Sequence, residues 1–207
     1  MDDLLLAAEH RNQRWKGTLA LLGLLEQAGY KFSWKKVQVC QQQVCYLGFN
    51  IMAGRGTFGI EKCQAICQIA RTTTKRQVQE FLRAAGFCYI WIQEFLQIAE
   101  PLYGATSGSG QTPFQWGPEQ EQEFLKLKEL VTQAPALGLP HVTKDLNLLV
   151  HEKEQAALGV LTQTVGSWQG LVAYLSRRLD SVASGWTPCS RAIALMVKKA
   201  EKIILGR

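Results

Sequence analysis

The chain of 207 residues opens MDDLLLAA, with two adjacent carboxylates, Asp2 and Asp3, ahead of an apolar run. Two adjacent charges with almost nothing in front of them look like a catalytic site cut in half. At a chain terminus neither acid is preorganised, so two exposed acids with no present activity are the competing reading. The six cysteines offer less. Cys40 and Cys45 are five apart and Cys63 and Cys67 four apart, with no C-x-x-C, and the histidines at 10, 141 and 151 are not at ligand spacing. Reduced, structural cysteines are expected, with no zinc and no disulfide. Cys63 and Cys67 share one face of a helix, as packed apolar groups do.

Composition bounds the class. The chain is 47% hydrophobic and 19% charged, as in a globular protein. No apolar run reaches the roughly 18 residues of a membrane span, and nothing basic precedes Leu4 to Ala8 as in a signal peptide. The expectation is an intracellular chain, cytoplasmic or nuclear, or a piece of one, with no membrane partner. The net charge of +6 is uneven. Residues 1–80 carry 11 Lys and Arg against 6 Asp and Glu, residues 81–140 carry 3 against 6, and residues 141–207 carry 9 against 5. Two basic regions flanking an acidic one suit nucleic acid or an anionic surface, with ordinary solvated charge as the alternative.

The elements that must position these groups follow from periodicity. Leu4 to Ala8 reads as a short buried strand. Trp15, Leu19, Leu22 and Leu25 recur at helical spacing, and Gly29 is placed to cap that helix. From Lys31 the pattern turns to β: Val37 and Val39 alternate, Gln41 to Gln43 turn, and Val44, Tyr46 and Phe49 resume. Gly54 and Gly56 bracket Arg55 in a further turn. Ile60 to Arg71 reads as a helix. Thr74 and Gln77 fit a capping box, and Val78, Phe81, Leu82 and Ala85 form one stripe before Gly86. A third helix around Phe95 and Ile98 is expected to end at Pro101, giving a small helical bundle. GATSGSGQTP, residues 104–113, reads as a linker. Beyond it, Pro118 opens a helix with Glu119 and Glu121 at its positive end and Phe124, Leu127, Leu130 and Val131 on one face. Three strands are expected, Leu146 to His151, Gly159 to Thr164 and Leu171 to Ser176, then a helix from Pro188 to Leu205. The chain shows no internal repeat.

Motifs in order along the chain carry a resemblance. MDDLLLAA resembles the catalytic hairpin of retroviral reverse transcriptases, an aromatic-x-Asp-Asp turn leading into an apolar strand, with Met1 at the x position and the aromatic missing. CQQQVCYLGFNI is similar to the strand pair called the primer grip. RQVQEFLRAAGFCYIWI resembles the thumb helix motif. PLYGAT and PFQWGPEQEQEFLKLKELVTQAPALGLP look like the thumb-to-connection passage. LNLLVHEKEQAALGVLTQ, LVAYLSRRLD and GWTPCSR resemble the connection of gammaretrovirus-like, including endogenous retroviral, polymerases. The resemblance covers nearly the whole chain.

It implies an α+β fold: palm-derived β-hairpins with the primer grip over residues 1–59, a thumb helical bundle over 60–103, a linker at 104–113, and a truncated ribonuclease H-like α/β connection over 114–207. It implies the C-terminal palm, thumb and connection of a Pol polyprotein, with the fingers and most of the palm expected to be absent upstream and the ribonuclease H domain absent downstream. Asp2 would be the inherited Mg²⁺ ligand with Asp3 beside it. Magnesium belongs to an intact polymerase, and none is expected to bind tightly here. The expected partner is an RNA–DNA or DNA duplex held without sequence preference. Lys35, Lys36, Tyr46, Leu47 and Gly48 of the grip would meet it, with the turn's backbone close to a phosphate, unless Tyr46 simply fills the core of a buried hairpin. Arg71, Lys75 and Arg76 would meet it at a helix start, where cations otherwise oppose the dipole. In the connection, His151 stands where related chains carry Asp, and imidazole does not replace a hard oxygen on Mg²⁺. The expected function is duplex binding by a polymerase segment that is inactive alone. The alternative is a domesticated or incidental fragment acting as a protein-interaction module. Placement in a virion follows if the chain is part of an intact Pol.

Overall fold

The computed structural model describes residues 4–31, 33–52, 54–108, 114–141, 143–179 and 186–205. Asp2 and Asp3 lie outside them. Six α-helices and two antiparallel sheets are present among the described residues.

The apolar run after the two acids forms no strand. Leu4, Leu5 and Leu6 are exposed. A strand is stabilised by a partner ladder, and none pairs with this segment among the described residues. Helix α1 spans Arg11–Gln27. It ends in a Schellman arrangement. The Gly29 N–H donates to the Glu26 carbonyl and the Tyr30 N–H to the Leu25 carbonyl, both at 2.9 Å, with Gly29 at φ +77°. None of its residues is buried.

The first sheet has the order β1–β2–β3–β4, from Val44–Tyr46, Phe49–Met52, Arg55–Phe58 and Leu137–Gly138. Val37 and Val39 are not in it. The Gln38 side chain instead lies along the outer edge of β1, accepting from the Cys45 N–H and donating to the Cys45 carbonyl, both at 2.8 Å. One amide side chain thus occupies a strand partner's place, and the β pattern upstream has nothing left to pair with. Arg55 and Gly56, expected in a turn, open β3, where they face Gly138 and Leu137 of β4.

Helix α2 spans Ile60–Gln68 and stops short of Arg71, since the backbone leaves the helix at Ile69, with φ −57° and ψ 119°. In α3, Lys75–Gly86, the Thr74 hydroxyl accepts from the Gln77 N–H at 3.3 Å. The stripe Val78, Phe81, Leu82 and Ala85 is buried. A 3₁₀ turn, Tyr89–Trp91, leads to α4, Phe95–Thr106. Helix α4 continues through Pro101 and into the stretch expected as a linker. Proline removes one intrahelical bond, and the burial of Ile98, Ala99 and Leu102 around it offsets the loss. Helix α5, Pro118–Thr132, starts on proline with Glu119 and Glu121 in its first turn.

Two cores result. The first joins α2, α3, α4 and α5, with the Phe81 and Phe124 rings 4.4 Å apart. It therefore takes in α5, which lies beyond residue 113. The Phe49 ring stacks on Trp91 at 5.0 Å and seats the β1–β2 hairpin on this core. The second core lies between helix α6, Pro188–Leu205, and the sheet β5–β6–β7, Leu146–Lys153, Ala156–Val165 and Trp168–Arg178. In β6, Gly159 lies beneath Met196 of α6.

The cores meet at Ser176 of β7. Its hydroxyl accepts the Leu96 N–H at 3.2 Å, and its carbonyl accepts the Lys199 ammonium at 2.8 Å. Lys199 also lies over the Tyr89 ring at 4.6 Å. Two ion pairs flank the junction, Lys153 with Glu94 and Arg178 with Glu100. Burial, helped by nearby Arg177, lowers the Lys199 pKa from 10.5 to about 8. The unfolded chain then holds this proton at pH values where the native chain has released it, so stability rises with pH above about 8. Burial raises the Tyr89 pKa, which acts the opposite way above about 10. Urea unfolding between about pH 7.5 and 9.5 should show the wild type gaining stability relative to Lys199→Met. A constant difference across that range would contradict the assignment.

Candidate nucleic-acid interface

Tyr46, Leu47 and Gly48 form the tip of the β1–β2 hairpin, with Tyr46 opposite Phe49. Leu47 has φ +50° and Gly48 φ +78°, the two positive values of a type I′ turn. The tip is clamped from below. The Lys62 ammonium donates to the Leu47 carbonyl at 2.7 Å, and the Gly59 N–H donates to the Gly48 carbonyl at 3.1 Å. Lys62 also sits 4.6 Å from the centre of the Phe49 ring and 5.1 Å from that of Phe87, at the end of α3. A Cβ on Gly48 would lie 2.6 Å from the Lys62 stem. Leu47 itself is 54% exposed, while Tyr46 is half-buried.

The cations near the start of α3 gather elsewhere. Arg71 pairs with Glu121 and Arg76 with Glu80, each at 3.0 Å. The Lys75 ammonium donates to the Ser107 carbonyl at 3.4 Å. This group therefore sits where the start of α3, the end of α4 and the start of α5 come together. Arg71, Gln77 and Glu80 line one cleft of about 280 Å³ there. The hairpin tip reaches the far end of α3 through Lys62 and Phe87. Twelve residues of helix span about 18 Å, so the two groups are separated along α3 rather than converging on one point. Phosphates along one strand of a duplex rise about 3.4 Å each, so that length corresponds to roughly five of them. Lys35 and Lys36 are exposed in a turn over residues 34–36, not on a strand beside the hairpin.

The ion pairs do not block a ligand. Both arginines are largely exposed, and such pairs contribute only about 0–1 kcal/mol. A phosphate can replace the carboxylate on either guanidinium with two parallel hydrogen bonds. Lys62 and Phe87 were not legible as site residues. The sequence shows a lysine in the first turn of a helix and an aromatic after a helix end, and only the fold brings them under one turn.

In β5 the alternation puts His151 on the exposed face and Glu152 on the other. The Glu152 carboxylate accepts the Gln155 N–H at 3.3 Å in the β5–β6 turn. Among the described residues no three His, Cys, Asp or Glu side chains are grouped to hold a metal. All six cysteines are free thiols. Cys63 and Cys67 face α5, donating to the Val131 and Lys128 carbonyls at 3.7 and 3.8 Å. Desolvation, and Cys67 beside it, raise the Cys63 pKa. Burial pushes the Cys88 thiol up to about 12. No described helix is long and apolar enough to cross a membrane.

Residues 116–207 match the family described as an RNase H-like domain found in reverse transcriptase. The whole chain is 47% identical to a segment of the Gag-Pol polyprotein of avian reticuloendotheliosis virus, 46% to that of feline leukemia virus and 45% to that of koala retrovirus. It spans 18%, 12% and 12% of those polyproteins. The fold is shared with the foamy viral protease-reverse transcriptase. In its complex with RNA/DNA hybrid the TM-score is 0.79 at 22% identity, over 96% of this chain and 27% of that one. In a complex with double-stranded DNA the TM-score is 0.81 at 21% identity, over 98% and 36%. The α+β fold is thus similar to that of a retroviral reverse transcriptase, and its residues 116–207 match an RNase H-like domain found in such enzymes. More narrowly, the chain is homologous along its whole length to gammaretrovirus-like Pol.

The clamp under the hairpin tip makes a specific demand on Gly48. Gly48→Ala should destabilise the protein by about 1–3 kcal/mol in urea unfolding, from the positive φ together with the Lys62 clash. Adding Lys62→Ala should recover only the steric part, so the pair will be non-additive. Full additivity would contradict the contact.

Proposed function

We propose that the chain is the part of a reverse transcriptase that holds the template–primer duplex and does not polymerise alone. The observation that carries this reading is the row of backbone-facing groups along α3. The Leu47–Gly48 tip stands at one end, and Arg71, Lys75 and Arg76 stand at the other. Homology to Pol over the whole length supports it. The foamy viral enzyme, with the same fold, was captured on RNA/DNA hybrid and on double-stranded DNA. In this reading residues 1–59 are palm with the primer grip, 60–103 thumb, 104–113 a linker and 114–207 connection. The shared core of α3, α4 and α5 supports reading thumb and connection as packed together.

The row suits backbone recognition. Cations and a close main-chain turn meet phosphates and read no base edges. Lys35 and Lys36 add charge on the hairpin side. Asp2 is the residue the resemblance gives as a Mg²⁺ ligand, with Asp3 beside it, and magnesium bound in an intact polymerase would stabilise the charge of nucleotidyl transfer. The setting is intracellular, or the virion when the chain is part of Pol. A protein-interaction role is the second reading, favoured by α1, which buries none of its residues.

A salt titration by fluorescence anisotropy separates the two. With about three to five phosphate contacts, log K should fall with log salt at a slope of roughly −3 to −4.5. Lys75→Ala with Arg76→Ala should reduce the slope by about two, with circular dichroism checking that loss of the Lys75–Ser107 contact leaves the fold intact. No binding at low salt, or an unchanged slope in the double variant, would remove α3 from the site. The same preparation should leave a primed template unextended. Extension above an Asp2→Asn, Asp3→Asn control would contradict the non-catalytic reading.

A further inference from the structure

Away from α3, an open cleft of about 590 Å³ lies between α1 and the segment before β1, lined by Arg11, Asn12, Trp15, Lys16, Val39 and Cys40. We infer that this cleft binds single-stranded nucleic acid, with a base stacked on the Trp15 indole and the flanking phosphates on Arg11 and Lys16. The site uses none of the groups assigned above to the duplex. Its volume falls in the range that takes a ligand the size of a nucleotide.

The geometry is local and specific. Arg11 and Trp15, and Asn12 and Lys16, are four apart, so all four side chains share one face of α1. Trp15 is 52% exposed, an indole left in water beside two cations. No carboxylate among the described residues pairs with Arg11 or Lys16. Arg71 and Arg76, by contrast, are both paired. Arg14 donates to the Gln41 carbonyl at 3.4 Å, which ties the opposite wall to the helix. Cys40, in that wall, is held at φ +49°. The first turn of α1 carries no acidic residue that would repel an anion. An aromatic face combined with phosphate-binding cations is the chemistry of single-strand recognition, since base faces are open to stacking only when unpaired.

The test uses the full chain and a fluorescently labelled oligothymidylate of about six nucleotides, within the span of a typical single-strand site. Binding at low salt is expected. Trp15→Ala should weaken it about tenfold or more, while Trp15→Phe, which keeps a ring, should retain most of the affinity. Arg11→Ser with Lys16→Ser should reduce the salt slope by about 1.4, from about 0.7 per phosphate on a single strand. These side chains are exposed, so circular dichroism should be unchanged. Lys75→Ala with Arg76→Ala should leave oligothymidylate binding intact, which separates this site from the duplex reading. No binding at low salt, equal binding by Trp15→Ala, or competition by oligoglutamate as effective as by unlabelled oligothymidylate would overturn the inference.

Discussion

The structure depends on how one buried serine is satisfied. Helix α4 begins after Glu94, whose backbone is left-handed and whose side chain does not cap the helix. An exposed amide in the first turn of a buried helix end needs an acceptor. Ser176, reaching across from β7, supplies it at Leu96. Its carbonyl takes the ammonium of Lys199 from α6, which is half-desolvated against Tyr89. The helical core and the second sheet are therefore locked through hydrogen bonds that neither part makes alone. Buried polar groups of this kind stabilise strongly only when all partners are present. Helix α4, against which α3 packs in the first core, is thereby tied to the second sheet.

The same logic separates what was legible in the sequence from what was not. Helix α6 lies over Pro188–Leu205 as expected, and α5 starts at Pro118, because proline at a first turn and a strong apolar face are local signals. The Thr74 cap and the stripe behind it were legible for the same reason. The three strands of the second sheet were placed by their apolar runs, though each is longer in the fold. Helix α4 runs five residues past Pro101, to Thr106, since the sequence displays the missing donor but not the core that holds the next turn. Leu4 to Ala8 and Val37–Val39 had strand patterns without strand partners, and pairing is a property of the fold. Ser176, Lys62 and Phe87 act across large sequence separations, so no window could connect them.

Charge placement carries the functional account. The chain is basic overall, yet Arg71 and Arg76 are held by Glu121 and Glu80 in exposed pairs of low net worth. Such pairs fix side-chain direction before a ligand arrives and give way to a phosphate at little cost. The hairpin tip is held differently. Lys62 is occupied by the Leu47 carbonyl and two rings, so it positions the turn rather than offering its charge. Along α3 the molecule thus combines a rigid main-chain contact with adjustable cations, an arrangement suited to a regular backbone of any sequence.

Hydrogen–deuterium exchange with and without an RNA–DNA hybrid tests this arrangement most directly. Adding the hybrid should slow exchange at the Leu47–Gly48 tip and at Arg71–Gln77 together, with the Ser176–Lys199 joint unchanged. Protection confined to one end of α3, or found only on α6 and the second sheet, would contradict the claim that α3 organises a single duplex-holding surface.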